Sequence, residues 1–118
     1  LAENGKKSSL FCEGWHDPHL ETFLELPAGW GRAMFEKTDV RKAKKILQGH
    51  TVIQGGIDVG VVISGTPAKI DEYMKALLGD MMPGGGYICG PNVGNLPRET
   101  PIENVAAVYE AIEKYGKY

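Results

Sequence analysis

The sequence predicts an α/β fold of about four βα units with parallel strands. Short apolar segments alternate with amphipathic segments along the chain, and loops rich in Gly, Pro and Asp separate them. Alternating strands and helices form parallel sheets through right-handed crossovers. The strands are short and nearly all apolar, as strands covered on both faces are. About four such units make half of a (βα)₈ barrel. The alternative is an open four-stranded sheet with helices on both faces.

Length and composition limit the class of protein. A chain of 118 residues forms one domain with one modest core. A hydrophobic fraction of 42% and a charged fraction of 24% exclude a disordered chain. The net charge of −2, without a cluster of Lys and Arg, argues against a nucleic-acid surface, and no apolar run is long enough to span a membrane. The two cysteines form no disulfide framework and no secretion leader is visible, so we expect a cytoplasmic protein.

The first unit is predicted to contain a strand at Ser8–Glu13 and a helix that begins at Asp17. Asp is a favoured N-cap, and Pro18 suits the first helical position. Pro27 ends this helix. Its apolar stripe consists of Leu20, Phe23 and Leu24.

The second unit is predicted to contain a strand at Arg32–Glu36 and a helix capped by Thr38 or Asp39. Gly49 is the expected stop, because glycine tolerates the left-handed conformation that ends many helices. The apolar face of the helix consists of Val40, Ala43, Ile46 and Leu47.

The third unit is predicted to contain a strand at Thr51–Gln54, a long loop, and a helix that begins at Thr66 and Pro67. This helix has the clearest 3.6-residue period in the chain. Its apolar positions are Ile70, Tyr73, Met74, Leu77, Leu78 and Met81.

The fourth unit is predicted to contain a strand at Gly86–Gly90 and a closing helix. Thr100 and Glu103 have the spacing of a capping box, and Gly116 ends the helix. The residues expected to face the core are Val105, Val108, Tyr109 and Ile112.

Polar residues that could support chemistry follow each predicted strand. In a (βα)₈ barrel, catalytic groups lie on these βα loops. Glu13 ends an apolar strand and is a candidate metal ligand or general base, or a charge that simply emerges into solvent. Glu13, His16 and Asp17 form a candidate metal site of borderline type; alternatively, Asp17 is only a helix cap. Trp15 is expected to stack on a flat ligand or to pack at the barrel rim.

Two further loops carry candidate binding residues. Asp58 follows Gly55 and Gly56, so it binds substrate or only forms an Asx turn. Arg98 is expected to pair with acidic groups of a substrate or to keep its loop soluble. The Gly-rich segment 84–86 lacks the pattern of a nucleotide-binding loop, which excludes nucleotide binding there.

Four segments together resemble one enzyme family. They are HTVIQGGIDVGVVISGTPAKIDEYMKALL (50–78), GGYICGPNVGNLPRETPIENVAAVYEAIEKYG (85–116), FCEGWHDPHLETFLEL (11–26) and FEKTDVRKAKKIL (35–47). They are similar to the C-terminal half of the uroporphyrinogen decarboxylase superfamily, which also contains cobamide-dependent methyltransferases. The resemblance implies that residues 1–118 are the C-terminal half of a TIM (βα)₈ barrel.

The resemblance also implies a function. It suggests an enzyme of tetrapyrrole (porphyrin) biosynthesis or of corrinoid-dependent methyl transfer, with a tetrapyrrole or corrinoid-type ligand. Zinc or a corrinoid would be the cofactor of the complete protein. The zinc-dependent methyltransferases use His-x-Cys and a distal Cys, but the matching positions are Phe11, Glu13 and Val93. The Gly-His-Gly of the decarboxylases reads Asn-Val-Gly at 92–94.

The family's catalytic Asp and substrate-binding Arg residues belong to the N-terminal half-barrel, so that half is an expected partner and this chain alone is predicted to be inactive. The alternative is a non-catalytic module whose concave face engages a partner or a small ligand. The two exposed sheet edges and the exposed inner face predict a homodimer or higher oligomer, in which a second copy stands in for the missing half. The first residues resemble the last turn of a helix capped by Gly5, which predicts a piece of a longer protein or a frayed terminus.

The expected catalytic residues are Glu13, His16 and Asp58, and the expected substrate-binding residues are Trp15, Glu36, Gln54, Asn92 and Arg98.

Overall fold

A four-stranded parallel sheet organises the chain in the computed structural model, which describes residues 1–118. Its strands lie in the order β1-β2-β3-β4, and every neighbouring pair is parallel. Parallel strands in sequential order are the arrangement in half of a (βα)₈ barrel, so the predicted fold class is confirmed. The strands are β1 (Ser8–Cys12), β2 (Gly31–Phe35), β3 (Val52–Ile57) and β4 (Tyr87–Pro91).

Helical segments connect the strands. Two are 3₁₀-helices, at Ala2–Asn4 and at Asp17–Glu25. No helix has the length and apolar character needed to cross a membrane. The α-helices are α1 (Val40–Leu47), α2 (Val59–Ser64), α3 (Pro67–Met81) and α4 (Ile102–Tyr115).

Helices pack against one face of the sheet and leave the other face exposed. Ala33, Phe35 and Ile53 point to one face, where they join the helices in a single buried core. Phe11, on the opposite face, is 53% exposed, whereas the next residue, Cys12, is buried. This alternation confirms that Phe11 points away from the helices and excludes an open sheet covered on both faces, whereas Glu13 follows the end of β1 and is exposed. We call the uncovered side the open face; it carries Ser9, Phe11, Arg32, Met34, Val52, Gln54 and Ile88.

The core lies between the sheet and the helices α1, α3 and α4. Asp39, rather than Thr38, caps α1, because its carboxylate accepts a hydrogen bond from the Arg41 N–H. Thr66 and Pro67 begin α3 as predicted, and Thr66 Oγ1 accepts from the Lys69 N–H. The apolar stripe of α3 supplies the largest share of the core, with Ile70, Met74, Leu77, Leu78 and Met81 buried.

The first unit differs from the prediction. Its helical segment is a 3₁₀-helix, and the N-cap is His16 instead of Asp17. Asp17 Oδ2 pairs with the Lys42 ammonium group at 3.1 Å, and Asp17 Oδ1 is buried without a hydrogen-bond partner. Leu24 was expected in the apolar stripe but is exposed, since no helix lies beyond this edge of the sheet.

Two later segments of the chain also differ from the prediction. The predicted long loop contains α2, and β3 continues through Gly55 and Gly56 because both glycines pair with β4. The predicted capping box at Thr100 and Glu103 does not form. Thr100 Oγ1 donates to the Pro97 carbonyl group, and Pro101 occupies the N-cap of α4. Tyr109 is exposed, whereas Asn104, Ala107 and Ala111 are the α4 residues that enter the interior along with Val108.

Candidate functional site

A hydrogen-bond network joins the carboxyl ends of all four strands. Glu36 Oε2 accepts a hydrogen bond of 2.6 Å from the Gly14 N–H, which links the ends of β1 and β2. Asn92 Nδ2 donates to the Glu36 carbonyl group at 3.2 Å, and Asn92 Oδ1 accepts from the Val59 N–H at 3.2 Å. One amide therefore connects the loops after β2, β3 and β4. We call Glu36, Asn92 and the backbone groups that they bind the strand-end network.

A pocket of about 330 Å³ opens beside the strand-end network. Its walls come from the loops after β2, β3 and β4 and from α3. Ligands of parallel α/β folds bind at this end of the strands. The polar residues that line the pocket are Glu36, Lys37, Thr38, Asp39, Asp58, Tyr73 and Asn92.

Asp58 lies in this pocket at the start of α2. Its Oδ1 atom accepts a hydrogen bond of 2.8 Å from the Gly60 N–H, so Asp58 caps α2. The residue is exposed, and the capping bond uses one of its two carboxylate oxygens. Asp58 therefore positions a loop and also presents negative charge to the pocket.

Tyr73 belongs to the pocket, although sequence patterning assigned it to the apolar face of α3. Its hydroxyl group donates to the Gly56 carbonyl group and accepts from the Asp58 N–H at 3.1 Å. Burial raises the pKa of the Tyr73 hydroxyl, so this group stays protonated and keeps its donor role. One signal in the sequence could have indicated this role: Tyr73 is the single tyrosine on an otherwise aliphatic helix face. A buried tyrosine hydroxyl group needs a hydrogen-bond partner, so its presence there predicts a polar contact.

Gly55 and Gly56 lie near the carboxyl end of β3, and Gly56 borders the pocket. Their φ angles are +125° and +94°, which glycine adopts without strain. The Tyr87 hydroxyl donates to the Gly55 carbonyl group at 2.7 Å, while Tyr73 binds the Gly56 carbonyl group. Two tyrosines thus hold the backbone just before Asp58.

The predicted metal site does not assemble. His16 Nε2 lies 2.9 Å from the Glu13 carbonyl oxygen, and the His16 N–H donates to Thr38 Oγ1 at 2.7 Å. Asp17 pairs with Lys42 instead of approaching Glu13. No group of three or more His, Cys, Asp or Glu residues is arranged to hold a metal ion. The donor set also does not fit the zinc of the methyltransferases, because Phe11 and Val93 offer no ligand atom.

The other predicted residues lie around the pocket without lining it. Trp15 and Arg98 are exposed on the loops after β1 and β4. Gln54 lies on the open face, and its Oε1 atom is buried without a hydrogen-bond partner. The structure therefore brings Glu36, Asp58 and Asn92 together, and leaves Glu13, Trp15, His16, Gln54 and Arg98 outside the pocket lining.

The two cysteines are not poised as nucleophiles. Both are free thiols, Cys12 in the core and Cys89 half-buried on β4. Burial raises the pKa of each thiol, so both remain protonated near neutral pH.

Comparison with known proteins identifies the family. The family model for uroporphyrinogen decarboxylase (URO-D) matches residues 2–115. Curated uroporphyrinogen decarboxylases from three strains of Coxiella burnetii are 30% identical to the chain over 79 residues. The match covers 67% of the chain and 21% of each relative, so the chain spans about a fifth of the length of the curated relatives it matches. With the parallel strands in sequential order and the pocket at their carboxyl ends, this match shows that the chain belongs to the uroporphyrinogen decarboxylase family.

Proposed function

We propose that the chain is the C-terminal half of the catalytic barrel of a uroporphyrinogen decarboxylase-like enzyme of porphyrin biosynthesis. In this proposal its pocket holds part of a tetrapyrrole substrate. The supporting observation is the pocket lined by Glu36, Asp58, Tyr73 and Asn92, at the carboxyl ends of parallel strands in a member of this family. Catalytic sites of (βα)₈ barrels lie at that end.

The chemistry around the pocket suits such a ligand. The reduced tetrapyrrole that is decarboxylated has four pyrrole rings joined by methylene bridges, with N–H donors toward its centre and carboxylate groups at its periphery. Asp58 offers a carboxylate to N–H donors, and the exposed Lys37 in the pocket wall offers a positive charge to a substrate carboxylate. Arg98 on the loop after β4 and Trp15 on the loop after β1 lie outside the pocket lining but are exposed, so they could add a second cation and an aromatic surface toward the rim.

The small size of the pocket predicts that this chain and the N-terminal half-barrel together form the substrate site. About 330 Å³ is at the lower end of the range of roughly 300–1,000 Å³ for small-molecule sites. Glu36 and Asn92 are also committed to backbone groups, so they support the loops more than they contact substrate. We therefore expect the N-terminal half-barrel to supply the remaining contacts and the groups that return a proton to carbon as CO₂ leaves.

Two other functions predict different behaviour. Corrinoid-dependent methyl transfer with zinc would need thiol and imidazole ligands, which positions 11, 13 and 93 do not supply. A non-catalytic binding module is favoured by one observation, the use of Glu36 and Asn92 in the strand-end network. Measuring both tetrapyrrole binding and catalytic turnover distinguishes the decarboxylase half, the methyltransferase and the binding module.

The test uses the 118-residue chain with uroporphyrin, a fluorescent and stable oxidised form of the substrate. We expect fluorescence titration to show binding that weakens in Asp58→Asn and Lys37→Ala, while Lys117→Ala, a control at an exposed lysine outside this pocket, binds as the wild type does. Incubation with uroporphyrinogen should leave all its carboxyl groups intact. Absence of binding contradicts the tetrapyrrole proposal, and transfer of a methyl group from methylcobalamin to a thiol would assign the methyltransferase function instead.

A further inference from the structure

We propose that Tyr73 is a positioning residue, whose hydroxyl group holds Asp58 so that the Asp58 carboxylate is an acceptor for N–H donors of a ligand in the pocket. The identity of the ligand, a tetrapyrrole, rests on the proposed function, whereas the hold on Asp58 rests on contacts within the chain. Tyr73 lies in the second turn of α3, and its hydroxyl group donates to the Gly56 carbonyl group and accepts from the Asp58 N–H at 3.1 Å. One hydroxyl group therefore binds the backbone on both sides of Ile57, the last residue of β3.

Three consecutive N–H groups at the start of α2 are bound by side-chain oxygens. The Asp58 N–H donates to the Tyr73 hydroxyl group, and the Val59 N–H donates to Asn92 Oδ1 at 3.2 Å. The Gly60 N–H donates to Asp58 Oδ1 at 2.8 Å. A helix of six residues has too few internal hydrogen bonds to be stable alone. Contacts from α3 and from the loop after β4 therefore determine where α2 begins.

The main chain at Asp58 depends on Tyr73 in particular. The Asp58 N–H has no backbone acceptor, so the Tyr73 hydroxyl group supplies the hydrogen bond that this N–H makes. A second tyrosine, Tyr87 of β4, donates to the Gly55 carbonyl group at 2.7 Å. Tyr87 thus supports the same end of β3 without a hydrogen bond to Asp58. The two tyrosines bind neighbouring carbonyl groups, and only Tyr73 also binds the residue that presents its carboxylate to the pocket.

These hydrogen bonds leave an acceptor, and no donor, where a ligand meets Asp58. A tyrosine hydroxyl group has one proton, and Tyr73 donates its proton to the Gly56 carbonyl group. Burial raises the pKa of this hydroxyl, so the proton stays in place near neutral pH. The N–H groups of residues 58–60 are also occupied. The free acceptor is Asp58 Oδ2, on an exposed residue that lines the pocket, and it suits the pyrrole N–H groups of a tetrapyrrole.

Fixing an exposed carboxylate before the ligand arrives strengthens binding. A mobile group has to be ordered when the ligand binds, and the lost conformational freedom weakens affinity. Tyr73 holds the main chain of Asp58, and the Gly60 N–H holds its side chain. Removing the Tyr73 hydroxyl group frees the main chain while the carboxylate itself remains. The loss of affinity should therefore depend on the presence of the Asp58 carboxylate.

Fluorescence titration of the 118-residue chain with uroporphyrin tests this dependence. Tyr73→Phe removes the hydroxyl group and keeps the ring, so we expect the dissociation constant to rise about three- to tenfold, the effect of roughly one net hydrogen bond. In an Asp58→Asn background the same substitution should cause no further weakening. Tyr87→Phe is the matched control: it removes the hydrogen bond to Gly55 and should bind uroporphyrin as the wild type does. Far-UV circular dichroism establishes that each variant is folded.

Amide hydrogen exchange measured by NMR tests the hold on Asp58 without a ligand. In the wild type the Asp58 N–H should exchange slowly although it has no backbone acceptor, and fast exchange there would overturn the proposal without any variant. In Tyr73→Phe the Asp58 and Gly60 N–H groups should exchange faster relative to the Ile53 N–H of β3, whereas Tyr87→Phe should leave both ratios unchanged.

Three other results would overturn the proposal: unchanged exchange at Asp58 in Tyr73→Phe, wild-type affinity of this variant, or an equal loss of affinity in the Asp58→Asn background. If uroporphyrin does not bind the wild type, the proposed function is contradicted, and the exchange rates alone decide whether Tyr73 holds Asp58. Failure of the one inference is thereby distinguished from failure of the other.

Discussion

The third unit of the sheet and the first unit bury their helices to very different extents. The third unit (β3, α2 and α3) has a strand on each side, and five residues of α3 are buried. The first unit (β1 and the 3₁₀-helix Asp17–Glu25) lies at an edge, and Leu20 is the single buried residue of its helix. Both helices begin with a Pro in the first turn and carry an apolar stripe. The difference shows that neighbours, more than local signals, decide how much a helix contributes to the core.

The largest expected effect compares one leucine from each unit. Leu77 of α3 is completely buried, so Leu77→Ala should lower the free energy of unfolding by about 2–5 kcal/mol. Leu24 of the first unit is 45% exposed, so Leu24→Ala should have a much smaller effect. Urea denaturation followed by circular dichroism measures both. Equal losses would mean that the first unit is packed as firmly as the third.

The next effect concerns Gly56, near the carboxyl end of β3 and beside the pocket. A Cβ atom at Gly56 would lie 3.0 Å from Leu77 Cδ1 and from the Tyr87 hydroxyl oxygen, at a φ of +94°. Gly56→Ala should therefore destabilise the chain by about 1–3 kcal/mol. Gly79→Ala is the control: this helical glycine has open space around it, so the substitution should stabilise the chain by about 0.5–1 kcal/mol. The urea midpoints should move in opposite directions, and parallel shifts would contradict the strain at Gly56.

An effect of similar size tests how the third unit is held to α4. Asn104 is buried, and its Nδ2 atom donates to the carbonyl groups of Val62 and Gly65, both at 2.9 Å. Asn104→Ala should leave these acceptors unpaired and cost about 1–3 kcal/mol. Asn95→Ala, at an exposed loop position, is the control and should leave the thermal midpoint almost unchanged. A neutral Asn104 variant would show that α2 does not depend on α4.

The smallest effect is a dependence of stability on alkaline pH. Burial raises the pKa of the Cys89 thiol above that of the unfolded chain, so the folded state retains its proton at higher pH. This contribution is complete below the unfolded thiol pKa of about 8.5 and is lost as pH rises through the folded value. The urea midpoint should therefore fall between neutral pH and pH ~10, and Cys89→Ala should reduce the slope. An unchanged slope would assign the alkaline loss to the other groups whose pKa values burial raises, namely Cys12, Tyr73 and Tyr87.

The fold was largely predictable because its signals are local. The Thr66-Pro67 start and the 3.6-residue period of α3 depend only on neighbouring residues, and the structure confirms both. In contrast, α2 was not predicted, because its sequence VGVVIS is too short and too uniformly apolar to show a period. Its helical form depends on the Asp58 cap and on the burial of Val59 and Val62. The exposed Tyr109 was missed for a related reason: its period indicates a core position, but no neighbour covers that flank.

The candidate site was predictable only in outline. Glu36, Asp58 and Asn92 follow different strands, and parallel strands bring their carboxyl ends to one edge. Sequence reasoning assigned Glu36 and Asn92 to substrate binding, which stays a prediction; it did not foresee that their polar atoms also bind backbone groups of other loops. Tyr73 was missed because the hydroxyl group reaches Gly56 only after α3 has packed over β3.

The sequence by itself determined the order of strands and helices and the face to which each strand residue points. Cys12 faces the helices and Phe11 the open side because side chains of an extended strand alternate. Tertiary structure decided which polar atoms meet: it paired Asp17 with Lys42, and it joined Asn92 to Glu36 across 56 positions of sequence. It also decided which apolar residues stay uncovered, as with Leu10 and Tyr109 at the two edges. Periodicity and capping act within a few residues, whereas burial and hydrogen-bond pairing depend on distances between segments far apart in the chain.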